Sequence, residues 1–180
     1  MSKIAVITGS ARKDGNSNKM AAAFMEAAIA KGNEVIHIDA ASLSIGGCHG
    51  CETCYSQGRP CTFDDDFNKV APDILAADAL VFATPVYWYS YPSQIKAVID
   101  KMFSLVVGGK DISGKKVGLI ACCEEHDKSV LDGVRVPFER TAALNKWQVV
   151  GEVLITGVLN KGDIDKTDGV SQAAALAEKF

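Results

Sequence analysis

Four of the chain's six cysteines fall in one short stretch, Cys48-x-x-Cys51-x-x-Cys54-x6-Cys61, punctuated by Gly46, Gly47 and Gly50. Packing alone does not gather cysteines in this way. Four thiolates can ligate a single [4Fe–4S] cube, which takes four cysteine ligands. Tetrahedral zinc suits the same donors, although two close pairs with a longer spacer are its commoner layout. Free thiols lining a substrate loop are a further reading. Whether the four sulfurs converge decides among these, and spacing does not fix that.

A second chemistry-bearing stretch is Gly9-Ser10-Ala11-Arg12-Lys13-Asp14-Gly15-Asn16-Ser17-Asn18, directly after the apolar run Ile4-Ala5-Val6-Ile7. A buried strand empties into hydroxyls, amides and one arginine, and a helix is expected from about Ser17. Unpaired N–H groups and the positive dipole end of a helix N-terminus favour an anion. Glycine admits close backbone approach, and Arg12 can grip phosphate oxygens with two parallel hydrogen bonds. The loop matches neither G-x-x-x-x-G-K-[ST] nor a clean G-x-G-x-x-G, which argues against a triphosphate. A terminal monoester phosphate suits it better, and a plain capped strand-to-helix turn is the simpler alternative.

The third such stretch is Thr84-Pro85-Val86-Tyr87-Trp88-Tyr89-Ser90-Tyr91-Pro92 at the end of a strand. Flat aromatic surface suits a planar ring, and Pro85 fixes the backbone beside it. A lid or a subunit contact would use the same residues.

Strands are expected over 3–8, 34–39, 79–84, 116–121 and 149–156, each a nearly continuous apolar run of the kind buried on both faces of a parallel sheet. Helices are expected over 17–31, 66–77, 93–102, 129–144 and 171–180. Pro72, Gly133 and Pro137 mark kinks or late starts in two of them. Strand and helix alternate throughout, so the expected fold is α/β: a three-layer, doubly wound sandwich around a five-stranded parallel sheet, with residues 1–180 forming one domain. Its ligands bind beyond the carboxyl ends of the strands.

The chain has 180 residues, 48% hydrophobic and 23% charged, with net charge −3. That is core enough for one domain, and the balance offers no general attraction to nucleic acid or an anionic membrane. No apolar stretch approaches the roughly 20 residues of a spanning helix. Met1-Ser2-Lys3 leads straight into a strand without the layout of a signal peptide, so a cytoplasmic protein with reduced cysteines is expected.

Gly9-Ser10-x-Arg12-x-x-Gly15-Asn16-Ser17, Thr84-Pro85-Val86-Tyr87 and Gly162-Asp163-Ile164, in that order, resemble the flavodoxin-like NAD(P)H-dependent FMN reductase family. The resemblance covers nearly the whole chain. It implies FMN phosphate held by Ser10, Arg12, Asn16, Ser17 and Asn18, and the isoalloxazine ring held by Thr84, Pro85, Val86, Tyr87 and Trp88. Where the family often has a Gly- or Thr-rich loop along the flavin, this chain has Cys122-Cys123-Glu124-Glu125-His126. The cysteine spacing resembles that of iron–sulfur flavoproteins, a branch of the same family, which would make Cys48, Cys51, Cys54 and Cys61 ligands of [4Fe–4S]. A thiol pair that cycles with the flavin is the alternative.

The function expected is an FMN-dependent oxidoreductase that passes electrons from NADPH or NADH to a small acceptor such as a quinone, nitro or azo compound. Exchange with a ferredoxin-like partner through the cysteine loop is an alternative, and a non-catalytic flavin sensor is another. No side chain stands out as a chemical catalyst, because the flavin carries the redox step and the protein positions it. The resemblance also implies a homodimer or homotetramer.

Overall fold

The computed structural model describes residues 1–180. Five strands, β1 (Lys3–Thr8), β2 (Glu34–Asp39), β3 (Ala79–Pro85), β4 (Lys116–Cys122) and β5 (Gln148–Ile155), form one parallel sheet in the order β2-β1-β3-β4-β5. The order reverses between β1 and β3, where the connections switch from one face of the sheet to the other. At such a switch point the loops diverge and leave a crevice.

The alternation of side chains along each strand builds two cores. Ile4 and Val6 of β1 and Ala79, Val81 and Ala83 of β3 face α1 (Asn16–Ala30) and α6 (Gly169–Leu176), packing on Met20, Phe24, Ala28 and Leu176. Ala5, Ile7, Leu80 and Phe82 face the other way. They meet α2 (Phe67–Ala76), α3 (Ser93–Lys101), α4 (Phe103–Val107) and α5 (Asp132–Leu144). With both faces covered, the central strands β1, β3 and β4 read as nearly unbroken apolar runs, whereas β2 and β5 at the edges are part exposed.

The helices depart from expectation mainly at their ends. α1 starts at Asn16, and α2 and α5 run through Pro72 and Pro137. The stretch expected as one helix over 129–144 begins as a 3-10 turn, Lys128–Leu131, because Asp127 caps it by accepting the Ser129 N–H at 2.9 Å. The expected 93–102 helix passes through Met102 into α4. No helix is long and apolar enough to cross a membrane. The connection from residue 40 to residue 66, which carries the four clustered cysteines, has no helix or strand.

Candidate flavin cleft and cysteine cavity

The carboxyl ends of β1, β3 and β4 open onto a cleft of about 560 Å³. One end is built for an anion. Gly15 caps α1 and has no side chain to occupy the first-turn N–H groups, which are left facing the cleft. A Cβ on Gly15 would stand 2.9 Å from the Arg12 carbonyl oxygen, so glycine is required where the loop closes on itself. The Ser10 hydroxyl accepts the Arg12 N–H at 3.2 Å and keeps its own proton to donate. Arg12 spends one guanidinium N–H on the Leu159 carbonyl at 3.2 Å and keeps the others. Ser17 is 1% exposed, and its hydroxyl has no partner. A buried hydroxyl without an acceptor beside an uncapped helix start and an arginine fits a phosphate group.

The other end is aromatic. Tyr87 and Ser90 exchange both backbone hydrogen bonds, at 2.9 and 3.0 Å, so Trp88 and Tyr89 form a two-residue hairpin turn. Both carry positive φ, +47° and +58°. That is the type I′ geometry usually given to Asn-Gly, and non-glycine residues there cost on the order of 1–3 kcal/mol each. The strain holds two bare ring systems at the rim: Trp88 is 95% exposed and Tyr89 is 61% exposed. Their N–H groups make no backbone hydrogen bond and keep their donors. The cleft's length, its apolar wall and these donors fit a planar heteroaromatic ring.

The floor comes from the end of β4. Cys122 pairs in register with Pro85 of β3 and Ile155 of β5, which fixes it beneath the ring segment. Burial pushes its thiol up to about 12. The neighbouring Cys123 adds to the rise, and the Ser17 N–H aimed at the sulfur opposes it. Cys123 points to the opposite face, and burial raises its thiol as well. Both are therefore protonated, inert thiols at neutral pH. Glu124 and Glu125 complete the rim, exposed to solvent.

Not every residue expected to touch the phosphate or the ring reaches the cleft. Ser10, Arg12, Asn16, Ser17, Pro85, Val86, Tyr87 and Trp88 line it. Thr84 is fully buried with its hydroxyl on the Pro85 carbonyl at 2.8 Å, below the cleft. Asn18 gives its amide to the carbonyls of Ser10, Arg12 and Lys13, shaping the loop from behind. Asn16 lines the wall, but its amide serves as a fastener. It donates to the Val158 and Asn160 carbonyls and accepts the Ile164 N–H. Gly15 lines the cleft as the phosphate loop implied, and Cys122 and Cys123 line it where the resemblance sets the family's loop along the flavin. Tyr89 and Val158 line it without having been named as contacts.

The four clustered cysteines line a second, smaller cavity of about 80 Å³, shared with Lys101, Phe103 and Ser104. Cys48 and Cys51 are exposed, Cys54 is half-buried and Cys61 is buried. Three residues at the start of α2 and just before it pin the loop. Asp65 accepts the Gly46 N–H at 3.0 Å, and Asp66 accepts the Ser44 N–H at 2.8 Å. Asn68 accepts the Cys61 N–H at 2.7 Å and donates to the carbonyls of Cys61 and Phe63. The Thr53 hydroxyl lowers the Cys51 thiol by hydrogen bonding, while burial raises Cys54. No three Cys, His, Asp or Glu side chains close into a set compact enough for a single metal ion. A cube spaces its four ligand sulfurs more widely than one ion does, and four thiols around one small cavity are the donor chemistry it takes.

A doubly wound sheet with an anion end and an aromatic end at its switch point defines a flavin-binding oxidoreductase fold. The solved azoreductase of Bacillus anthracis has the same fold, with a TM-score of 0.76 at 19% identity over 100% of both chains. The model of a family described as NADPH-dependent FMN reductase matches residues 2–153, and the chain belongs to that family. It is an FMN-dependent oxidoreductase. The iron-sulfur flavoprotein of Archaeoglobus fulgidus is 32% identical over 183 residues, 97% of this chain and 78% of that protein. That of Methanosarcina thermophila is 35% identical over 117 residues, 64% of this chain and 60% of that protein.

Proposed function

We propose that the chain carries electrons from NADPH or NADH to a small oxidant such as a quinone, nitro or azo compound. The cleft between the Ser17 hydroxyl and the Trp88–Tyr89 turn is the observation that carries this reading. Bound there, FMN would supply hydride acceptance and electron release at its ring. Arg12, Ser10, Ser17 and the start of α1 would hold the phosphate, and its charge would be offset by the guanidinium and the helix dipole. Pro85, Val86, Tyr87 and Trp88 would hold the ring. The exposed rings of Trp88 and Tyr89 would give a nicotinamide or acceptor a surface to stack on. Anaerobic addition of NADPH or NADH to the purified yellow protein should bleach the flavin absorption. Failure with both nucleotides would overturn the reading.

The cysteine cavity supports a second cofactor. We propose that Cys48, Cys51, Cys54 and Cys61 hold a [4Fe–4S] cube, as the names of the archaeal relatives suggest for those proteins. Anaerobically purified protein should then contain about four irons and four labile sulfides per chain. Iron-free anaerobic protein would remove the cube and leave the flavin reading intact. Exposed Phe103, Val106 and Leu144 suit a homodimer or homotetramer, with residues 1–180 acting as one cytoplasmic flavodoxin-like domain. Light scattering tests the assembly.

A further inference from the structure

The wall of the cysteine cavity opposite the loop holds two polar groups that the fold does not use up. Lys101, the last residue of α3, is 3% exposed. Its ammonium makes one hydrogen bond, to Asp65 Oδ2, and that is its only partner in the protein. An ammonium has three donors, so two remain without acceptors in the wall of the cysteine cavity. Ser104 of α4 is 4% exposed, and its hydroxyl has no partner. It does not even make the back-bond to the carbonyl four residues earlier that a helical serine commonly forms.

Leaving such donors unmet costs about 1–3 kcal/mol per group, more for a charge. A fold keeps that deficit where something else supplies the acceptor. Asp65 does not supply it: its two carboxylate oxygens already serve the Gly46 and Phe67 N–H groups as well as Lys101. The lining across the cavity offers the sulfurs of Cys48, Cys51, Cys54 and Cys61, with the exposed side chains of His49 and Glu52 and the already bonded Thr62 hydroxyl beside them.

We propose that Lys101 and Ser104 are positioning residues that donate to the sulfurs of the group held by the four cysteines and raise its reduction potential. The inference rests on the [4Fe–4S] reading above. Hydrogen bonds to the sulfurs and local net charge are among the levers that set a cluster's potential. A cube on four thiolates is anionic and becomes more so with each electron. A buried cation and a hydroxyl donor therefore stabilise the reduced form more than the oxidised one. Asp65 has a double role, pinning the loop at Gly46 and aiming the ammonium.

The test is a dithionite titration of anaerobic holoprotein, following the reduced-cluster EPR signal, with iron counted on the same samples. Two variants serve. Lys101→Met removes the cation and leaves the Asp65 carboxylate on the Gly46 and Phe67 N–H groups. Ser104→Ala deletes a hydroxyl that has no partner in the fold, so it keeps the test decisive even where the lysine variant does not fold. Both should retain the wild-type iron. Lys101→Met should shift the one-electron equilibrium at least tenfold toward the oxidised form, 59 mV more negative. Ser104→Ala should shift the potential the same way by less. Iron retained with both potentials unmoved overturns the inference and leaves the cluster standing. Loss of iron from Ser104→Ala, with circular dichroism unchanged, also overturns it and makes the serine structural. Wild-type protein free of iron overturns the cluster reading itself, and this inference with it.

Discussion

A Cβ built on Gly133 would lie 1.5 Å from the carbonyl oxygen of Tyr89, so the start of α5 meets the aromatic turn backbone to backbone. The contact explains how two consecutive non-glycine residues are held at positive φ. The helix removes the space into which the turn would relax. In most helices replacing glycine by alanine is favourable by up to about 1 kcal/mol. Here the sign should reverse. Gly133→Ala should destabilise the protein in urea unfolding and weaken FMN retention at least tenfold by fluorescence titration, because the turn must move to admit the methyl.

The anion end of the cleft separates two kinds of residue that look alike in sequence. Ser17 carries a free buried hydroxyl, whereas the Asn16 amide is fully engaged. Ser17→Ala should therefore leave the flavin-free protein as stable as before, or slightly more so, while weakening FMN binding. Arg12→Ala should weaken it further, by about 1.5–3 kcal/mol or roughly 10- to 150-fold, as expected for a hydrogen bond to a charged group. Asn16→Ala should instead lower the melting temperature of the flavin-free protein. Calorimetry of the three variants with and without FMN checks the ordering.

These differences show what local sequence carries. The sheet was legible because the central strands β1, β3 and β4 are buried on both faces and their residues say so without reference to neighbours. The same holds for the phosphate loop, whose glycines and hydroxyls are adjacent in the chain. The use of each side chain was not legible. Asn16 is committed to carbonyls more than 140 residues away, and nothing near it announces them. The Trp88–Tyr89 turn lacks the Asn-Gly that marks its type, because a distant glycine on α5 holds it. Lys101 and Ser104 sit at ordinary helical spacing, and only the fold turns them toward the cysteines.

Cys122 gives the cleft floor a pH signature. Its thiol is raised from an ordinary value near 9.0 to about 12 by burial, so the folded chain keeps a proton that the unfolded chain releases. With more protons bound in the native state, stability is complete below pH 9 and falls as pH rises through 12. Cys122→Ala lacks this loss. The stability gap between wild type and variant should shrink by up to about 1.4 kcal/mol for each pH unit above 9. Urea unfolding at pH 8, 9 and 10 measures it. The same burial predicts that iodoacetamide at pH 8 leaves Cys122 unmodified in folded, flavin-free protein, which peptide mass spectrometry reads directly.

Asn68 is where the cysteine loop is most tightly tied to the sheet scaffold. One side chain closes a pair of hydrogen bonds on the Cys61 backbone, at 2.7 and 3.1 Å, and a further one on Phe63 at 2.9 Å. Asn68→Ala strands the Cys61 N–H and the two carbonyls, a deficit of about 1–3 kcal/mol where they remain buried. The loop can recover part of this by opening to water, and opening moves Cys61 away from Cys48, Cys51 and Cys54. The variant should therefore lose only modest global stability but show markedly faster amide exchange over residues 46–63. Its iron content after anaerobic purification should fall well below that of wild type, while FMN content stays the same because the cleft at β1 and β3 does not depend on this loop. Unchanged exchange over residues 46–63 would show that Asn68 does not hold the loop closed.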